Sequence, residues 1–429
     1  MASSEERREA YRQALLNSPR AGELAGSMAL EGEDPARAAA RLVLAPAVGG
    51  FLQWLLGLAL ERGWRRLCFL ARDGALLYRG ASLLVRQLGL PLECRYLAVS
   101  RRGLWLPLWR WDRGLALELL CRKGRGKTLG EMLSWAGLAV EEGEAVARSL
   151  GLPLGEALAP GQLKELGQPL GRCSVFLQGA DRQGARAGEA FAAYLAQEGL
   201  LDGSPWVAVD SGWMGSTQES LGKILRGLGQ GWTLEGCYWG LYRSPNKMPA
   251  HCWYFSPHNG WREKAWFANS LVEALLGASH GTVLGYRQGA GRVLPVCGPE
   301  DGTRKDLFRK TEPVYQGYFR LLGEHSRREE LLDRGQADLA LARRTLPLLL
   351  GRPTREEAAA FGGLNYSDGG QADREAMARP LPSGRRNLGG CLARAWPQGA
   401  AALTWEDPGR RFEAIALYQL LRAAKAPGR

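Results

Sequence analysis

Apolar positions along the chain change period several times, and each change marks an element. From Arg65 onward, short apolar runs alternate with stretches of helical periodicity, the pattern of βαβ units and a parallel sheet. The first run, RLCFLA at 66–71, leads through Arg72-Asp73-Gly74 into a helix with Leu77, Ala81, Leu84 and Leu88 on one face. CRYLAVS at 94–100 predicts a second strand, ending at Arg101-Arg102. PWVAVD at 205–210 predicts a third, which turns through SGWMGSTQ into a helix reaching about Leu228. LEGCYWGLYR at 234–243 predicts a fourth, and VLGYR and RVLPV, parted by Gln288-Gly289-Ala290-Gly291, predict a hairpin over 283–296.

Between the second and third strands the pattern is helical, with stretches near 115–121, 129–149 and 184–199, and this block reads as an insertion or cap. A helix is predicted at 264–277. Beyond about 303 everything reads as helix, including a capping box at Thr354-Arg355-Glu356-Glu357 and a terminal helix from about Arg410 to Ala424. Residues 362–390, with GG, SDGG and PSGRR, read as a long loop. The expected fold is α/β, a Rossmann-like, mostly parallel sheet with a large helical insertion and a helical C-terminal extension. It divides into an N-terminal helical segment (1–40), a core (41–300) with its insertion at about 103–200, and a helical region (301–429).

Residues 42–60, LVLAPAVGGFLQWLLGLAL, carry no charge and must be weighed as a membrane span. Pro46, Gly49 and Gly50 interrupt them, and a helix starting near Phe51 is too short for about 30 Å of hydrocarbon. A buried core helix is the expectation. At 429 residues, 45% hydrophobic and 23% charged, the chain has ample material for a core, which excludes disordered, collagen-like and disulfide-scaffold classes. Eight cysteines without a CxxC pair and four scattered histidines give no metal-site motif. The polar start MASSEERREAYRQ has no signal peptide, so reduced thiols and a cytoplasmic location follow, with the inner membrane face as the surface for any peripheral contact.

The net charge is +12, and only nine of the 56 basic residues are lysine. Arginine's fork of donors suits phosphate, so the surplus points to a phosphorylated small molecule, an anionic surface or nucleic acid, unless it reflects only genomic composition. The arginines are scattered, which disfavours nucleic acid. Three strand-end turns carry the candidate chemistry. In Asp210-Ser211-Gly212-Trp213-Met214-Gly215-Ser216-Thr217-Gln218, loop amides, two hydroxyls and a helix N-terminus suit an anion, while Asp210 stands at a strand's carboxyl end. Arg72-Asp73-Gly74 offers a phosphate contact and a carboxylate for a metal-bound ligand, or simply an N-cap. Ser100-Arg101-Arg102 offers paired guanidinium groups to a diphosphate. Glu273 and His280, on either side of a helix end, are candidate acid/base groups. Trp105, Trp109 and Trp111 read as core, with sugar stacking as the alternative. Walker A and GxGxxG motifs are absent.

FLARDGALL (69–77), YLAVSRR (96–102), VAVDSGWMGSTQ (207–218) and EALLGASHGTVLGY (273–286) together resemble the glycan phosphoribosyltransferase module of bacterial dual-domain ribofuranosyltransferases, usually labelled haloacid-dehalogenase-like hydrolases of surface-polysaccharide clusters. The resemblance spans roughly residues 40–300, and more weakly the tail through Trp396-Pro397-Gln398-Gly399. It implies phosphoribosyl diphosphate as donor, Mg²⁺ carried by the substrate, and a glycan or lipid-linked glycan as acceptor. On that reading Gly212–Thr217 cradle the 5-phosphate, Asp210 meets the ribose diol, and Arg72, Arg101 and Arg102 hold the diphosphate, with Asp73 near the metal. The haloacid dehalogenase DxD motif is not met, since Gly212 stands where the second aspartate belongs, so a separate phosphatase must act on the product. The usual phosphoribosyltransferase pair of adjacent acids is only half present, Asp210 being followed by Ser211. A phosphatase or hydrolase, and a basic nucleic-acid or anionic-surface binding protein, are the competing readings.

Overall fold

The computed structural model describes residues 4–28, 33–122, 126–246, 248–366, 375–382 and 387–425. At its centre is a five-stranded parallel sheet built from β1 (Arg66–Leu70), β2 (Glu93–Leu97), β3 (Val207–Trp213), β4 (Glu235–Leu241) and β5 (Ala250–Phe255), in the order β2-β1-β3-β4-β5. This is the expected α/β class. β5 is not among the elements the pattern predicts: it lies at the sheet edge, its first three residues are only half-buried, and prolines at 249 and 257 bracket it. The predicted hairpin forms as β6 (Val283–Gly289) and β7 (Arg292–Cys297), apart from the main sheet.

Side chains alternate across the central strands and feed two cores. Leu67 and Phe69 of β1, with Val207 and Val209 of β3, face a core shared with helices Ala45–Glu61, Gly74–Gln87, Gly302–Glu324 and Leu331–Leu346. Cys68, Leu70 and Ala208 face the other, built from the helices between β2 and β3 and helix Ser216–Gly227. A sheet covered on both faces needs apolar residues in both registers, which is why its strands read as nearly continuous apolar runs.

The insertion is helical as expected, with different divisions. The predicted 129–149 stretch is two helices, Leu129–Trp135 and Val140–Leu150, parted where Gly137 takes φ +71°, and the helix predicted near 184–199 runs over Ser174–Gln197. The predicted 264–277 helix is likewise two, Trp261–Trp266 and Asn269–Leu276. Within the loop expected at 362–390, Asn365–Tyr366 pairs antiparallel with Glu375–Ala376, and 367–374 and 383–386 lie outside the described residues.

The apolar segment is a core helix, and it is longer than its sequence suggests. Helix runs from Pro35 to Glu61, long and apolar enough by length and composition to cross a membrane, yet 94% of its apolar window is buried within the protein. One widened turn over Ala40–Leu44 precedes Pro46, which lacks the N–H needed to continue the ordinary ladder. The glycines are contact points rather than breaks. A Cβ on Gly57 would stand 2.4 Å from the Leu332 amide nitrogen, and one on Gly335 would stand 2.2 Å from that of Trp54. Helix Leu331–Leu346 therefore lies backbone to backbone against Ala45–Glu61. Gly335→Ala is expected to cost about 1–3 kcal/mol through overpacking, read as a lower urea midpoint, whereas an unchanged midpoint would mean the two helices can separate freely.

Candidate active site

Strand order places the site. Chain connections leave β1 and β3 in opposite directions along the sheet, which opens a crevice beyond their carboxyl ends, where ligands bind in open α/β sheets. The Arg72-Asp73-Gly74 and Asp210–Thr217 turns both sit there.

Asp73 stands at the N-terminus of helix Gly74–Gln87 but does not cap it. Its Oδ2 instead accepts a hydrogen bond from the Ser211 hydroxyl at 2.7 Å, joining the two turns directly. The Ser211 amide donates to Asp210 Oδ1 at 2.8 Å. From the next layer, Glu273 of helix Asn269–Leu276 accepts the Trp213 indole N–H at 2.6 Å, while the Trp213 ring packs on Phe255 and Phe267. The Ala278 amide donates to the Arg72 carbonyl at 3.0 Å, tying that helix end to the β1 turn. Gly212 has φ +131°, and a Cβ there would stand 1.9 Å from the Gly240 carbonyl oxygen, so only glycine fits. The Ala71–Arg72 and Gly212–Trp213 peptide bonds are cis.

Three half-buried carboxylates thus share one recess, and each holds its proton more tightly than usual. Burial, then the negative charges of Asp73 and Glu273, push the Asp210 carboxyl well up, against the Ser211 amide and Arg101. Burial raises Asp73 too, opposed by the Ser211 hydroxyl and by Arg304, Arg72 and Arg101. Glu273 is pushed up to about 7 by burial and the Asp73 charge, with Arg101, the Trp213 indole and Arg304 pulling the other way.

Arg304 is the residue sequence reasoning missed. It comes from helix Gly302–Glu324 in the C-terminal extension, is 3% exposed, pairs with Asp301 at 3.3 Å, and donates from Nη1 to the Glu273 carbonyl at 3.3 Å. A Cβ on Gly277 would lie 2.8 Å from Arg304 Nη1 and 3.5 Å from Asp73 Oδ1, which places the buried cation against the carboxylates. A capping Asp301 two residues after Pro299 signals a helix start in the sequence, but nothing local shows where the helix points.

No protein-family model matches this chain, and no curated protein matches it.

Of the residues expected from sequence, the structure brings Arg72, Asp73, Gly74, Arg101, Asp210, Ser211, Gly212, Trp213, Gly215, Ser216, Thr217 and Glu273 to this edge. Four others are engaged elsewhere. Arg102 lies 4.9 Å over the Trp135 ring and donates to the Trp135 carbonyl, bracing the insertion. Ser100 caps helix Arg101–Trp109 and donates to the Val283 carbonyl at 2.5 Å. Gln218 is fully buried, donating to the Leu234 and Pro249 carbonyls and accepting from Tyr238. Both ring nitrogens of His280 are taken, one by the Tyr96 hydroxyl and one by the Gly281 carbonyl, each at 2.8 Å. Carboxylates are the hard oxygen donors Mg²⁺ prefers, and that ion is usually held by one or two of them together with substrate phosphate. Among the described residues no group of three or more His, Cys, Asp or Glu is built to hold a metal by itself.

The raised Glu273 group has a consequence for stability. A carboxyl whose affinity for protons is higher folded than unfolded favours folding at low pH, and that contribution fades as pH rises from the ordinary 4.5 through about 7. Glu273→Gln, which still accepts the indole N–H, is expected to raise the melting temperature of the ligand-free protein at pH 8 and to flatten its fall between pH 5 and 8. An unchanged pH profile would show that Glu273 does not titrate in this range.

Proposed function

We propose that the chain is a glycosyltransferase of the phosphoribosyl type, moving 5-phosphoribosyl from phosphoribosyl diphosphate to a hydroxyl of a glycan or lipid-linked glycan. What carries the reading is the pairing of opposite charges in one recess: Asp73, Asp210 and Glu273 against Arg72, Arg101 and Arg304. Glycosyl transfer from a diphosphate separates charge in the same way. The bond between C1 and the diphosphate oxygen breaks with its electron pair on the leaving group, and the sugar becomes oxocarbenium-like until the acceptor oxygen bonds to C1. Fixed carboxylates favour the cationic sugar, and fixed guanidinium groups favour the departing diphosphate.

Arg72 and Arg101 face the leaving group on this reading, and Asp210 orients the ribose hydroxyls. Glu273, whose affinity for protons lies near neutrality, takes the acceptor's hydroxyl proton. Asp73 and Asp210 would hold Mg²⁺, which neutralises diphosphate charge when bound. Arg304 orients Asp73 and Glu273 and limits their mutual repulsion. The product keeps its 5-phosphate, so a separate phosphatase completes the sequence. A haloacid dehalogenase mechanism is disfavoured because its second aspartate would fall at Gly212, a position that excludes any side chain.

Phosphoribosyl diphosphate with Mg²⁺ is expected to raise the melting temperature, by about 2.7 kcal/mol of stabilisation at a concentration 100 times its dissociation constant. Asp210→Asn should lower diphosphate release in the presence of sugar acceptors by about 100-fold or more. A wild-type protein that shows neither stabilisation by phosphoribosyl diphosphate nor diphosphate release would overturn the proposal.

A further inference from the structure

Helix Pro408–Lys425 turns Arg411 and Arg422 inward and its largest apolar side chains outward. Arg422, half-buried, donates from Nη1 to the Phe267 carbonyl and from Nη2 to the Tyr242 hydroxyl, each at 2.6 Å, and that hydroxyl donates to Asn269 Oδ1 at 2.7 Å. Arg411, 5% exposed, donates to the Trp405 carbonyl. The Arg422 contacts tie the helix to Asn269–Leu276, which carries Glu273. On the outer side Phe412 and Leu420 are 64% and 65% exposed, and Leu417 and Leu421 are each 42% exposed. Among the described residues nine large apolar side chains are exposed, and these four lie within ten residues of chain. A surface helix ordinarily buries such a stripe against its own core, so a contiguous apolar face left outside marks a contact surface.

Glu413, Leu417, Leu420 and Ala424 recur at intervals of four, three and four, the spacing of a helix–helix seam, with Phe412, Ala416 and Leu421 on its flanks. We propose that this helix pairs antiparallel with the same helix of a second copy of the chain, forming a two-fold dimer. A two-fold contact must complement itself. Set antiparallel about the Leu417–Leu420 turn, the stripe lays its leucines on one another and brings Phe412 of one copy near Ala424 of the other, a large side chain against a small one. The charges suit the same arrangement. Glu406, Asp407 and Glu413 are exposed towards one end, with Arg410 among them, and each acidic end meets the end of the other copy that carries Lys425. An anionic bilayer fits less well, because Glu413 stands on the apolar stripe itself and Glu406 and Asp407 would be drawn against lipid of their own sign. The inference is independent of the transferase reading.

Sedimentation of the full chain is expected to show a reversible monomer–dimer equilibrium, with a melting temperature that rises with protein concentration. Leu420→Glu sets like charges into the seam and is expected to weaken dimerisation by about tenfold or more. Leu420 is exposed in the single copy, so the far-ultraviolet spectrum and the melting temperature at high dilution should stay those of the wild type. Glu413→Lys should also weaken the dimer, and Glu413→Lys combined with Lys425→Glu should restore it. A wild-type chain that stays a single copy at every concentration, or a dimer that Leu420→Glu leaves intact, overturns the inference. A dimer that Glu413→Lys strengthens overturns the antiparallel pairing. A single copy whose binding to phosphatidylglycerol vesicles is abolished by Leu420→Glu overturns the dimer and assigns the helix face to a membrane.

Discussion

The parallel pairing of β1 with β3 is the contact from which the rest follows. These strands are separated by more than a hundred residues, yet Leu67, Cys68 and Phe69 lie in register with Val207, Ala208 and Val209. The register sets the Asp73 and Ser211 turns side by side, and the 2.7 Å hydrogen bond between them is its local result. A slip of one residue would exchange the two faces of β1, sending Leu67 and Phe69 to the wrong core. The hydrophobic cores therefore hold the site's geometry more firmly than any polar contact within it.

The recess is built at a cost to stability. Three carboxylates share a poorly solvated space, and burial is the largest influence on each of them. A folded protein keeps such an arrangement when surrounding structure dictates it, and here two cores do. Opposing arginines reduce the cost without removing it. The balance leaves carboxylates and guanidinium groups facing one another in one poorly solvated recess.

Each addition to the sheet delivers part of that balance. The start of the helical insertion supplies Arg101, and the C-terminal extension supplies Arg304. The extension is anchored by close approach of glycines to the apolar helix Ala45–Glu61 and by a buried polar cluster in which Asp338 accepts from Gln53 at 2.9 Å. The glycines of the apolar segment are the features that let other helices dock closely on it. Many remaining arginines are held in ion pairs, such as Arg41 with Glu33 at 2.8 Å and Arg66 with Asp202 at 3.0 Å, which gives them partners inside the fold and leaves the net surplus of +12 on other residues.

Strand-end turns were legible in the sequence because their signal is local. An apolar run, a charged pair and a glycine before a helix identify Asp73, and the same logic identifies Asp210 and the Gly212–Thr217 loop. The α/β class was legible for a similar reason, through alternation of apolar period. Side-chain direction was not. Arg101 and Arg102 are neighbours of one type, yet one helps balance the recess and the other lies on Trp135, because a helix start points successive residues about 100° apart. Gln218, Ser100 and His280 were likewise committed to backbone and hydroxyl partners contributed by distant segments. Arg304 carries no comparable local mark, since it matters through what it faces. The sequence determined which turns stand at the strand ends, and only tertiary packing decided which charges stand around them, because a charge acts through distance in space and solvent exclusion.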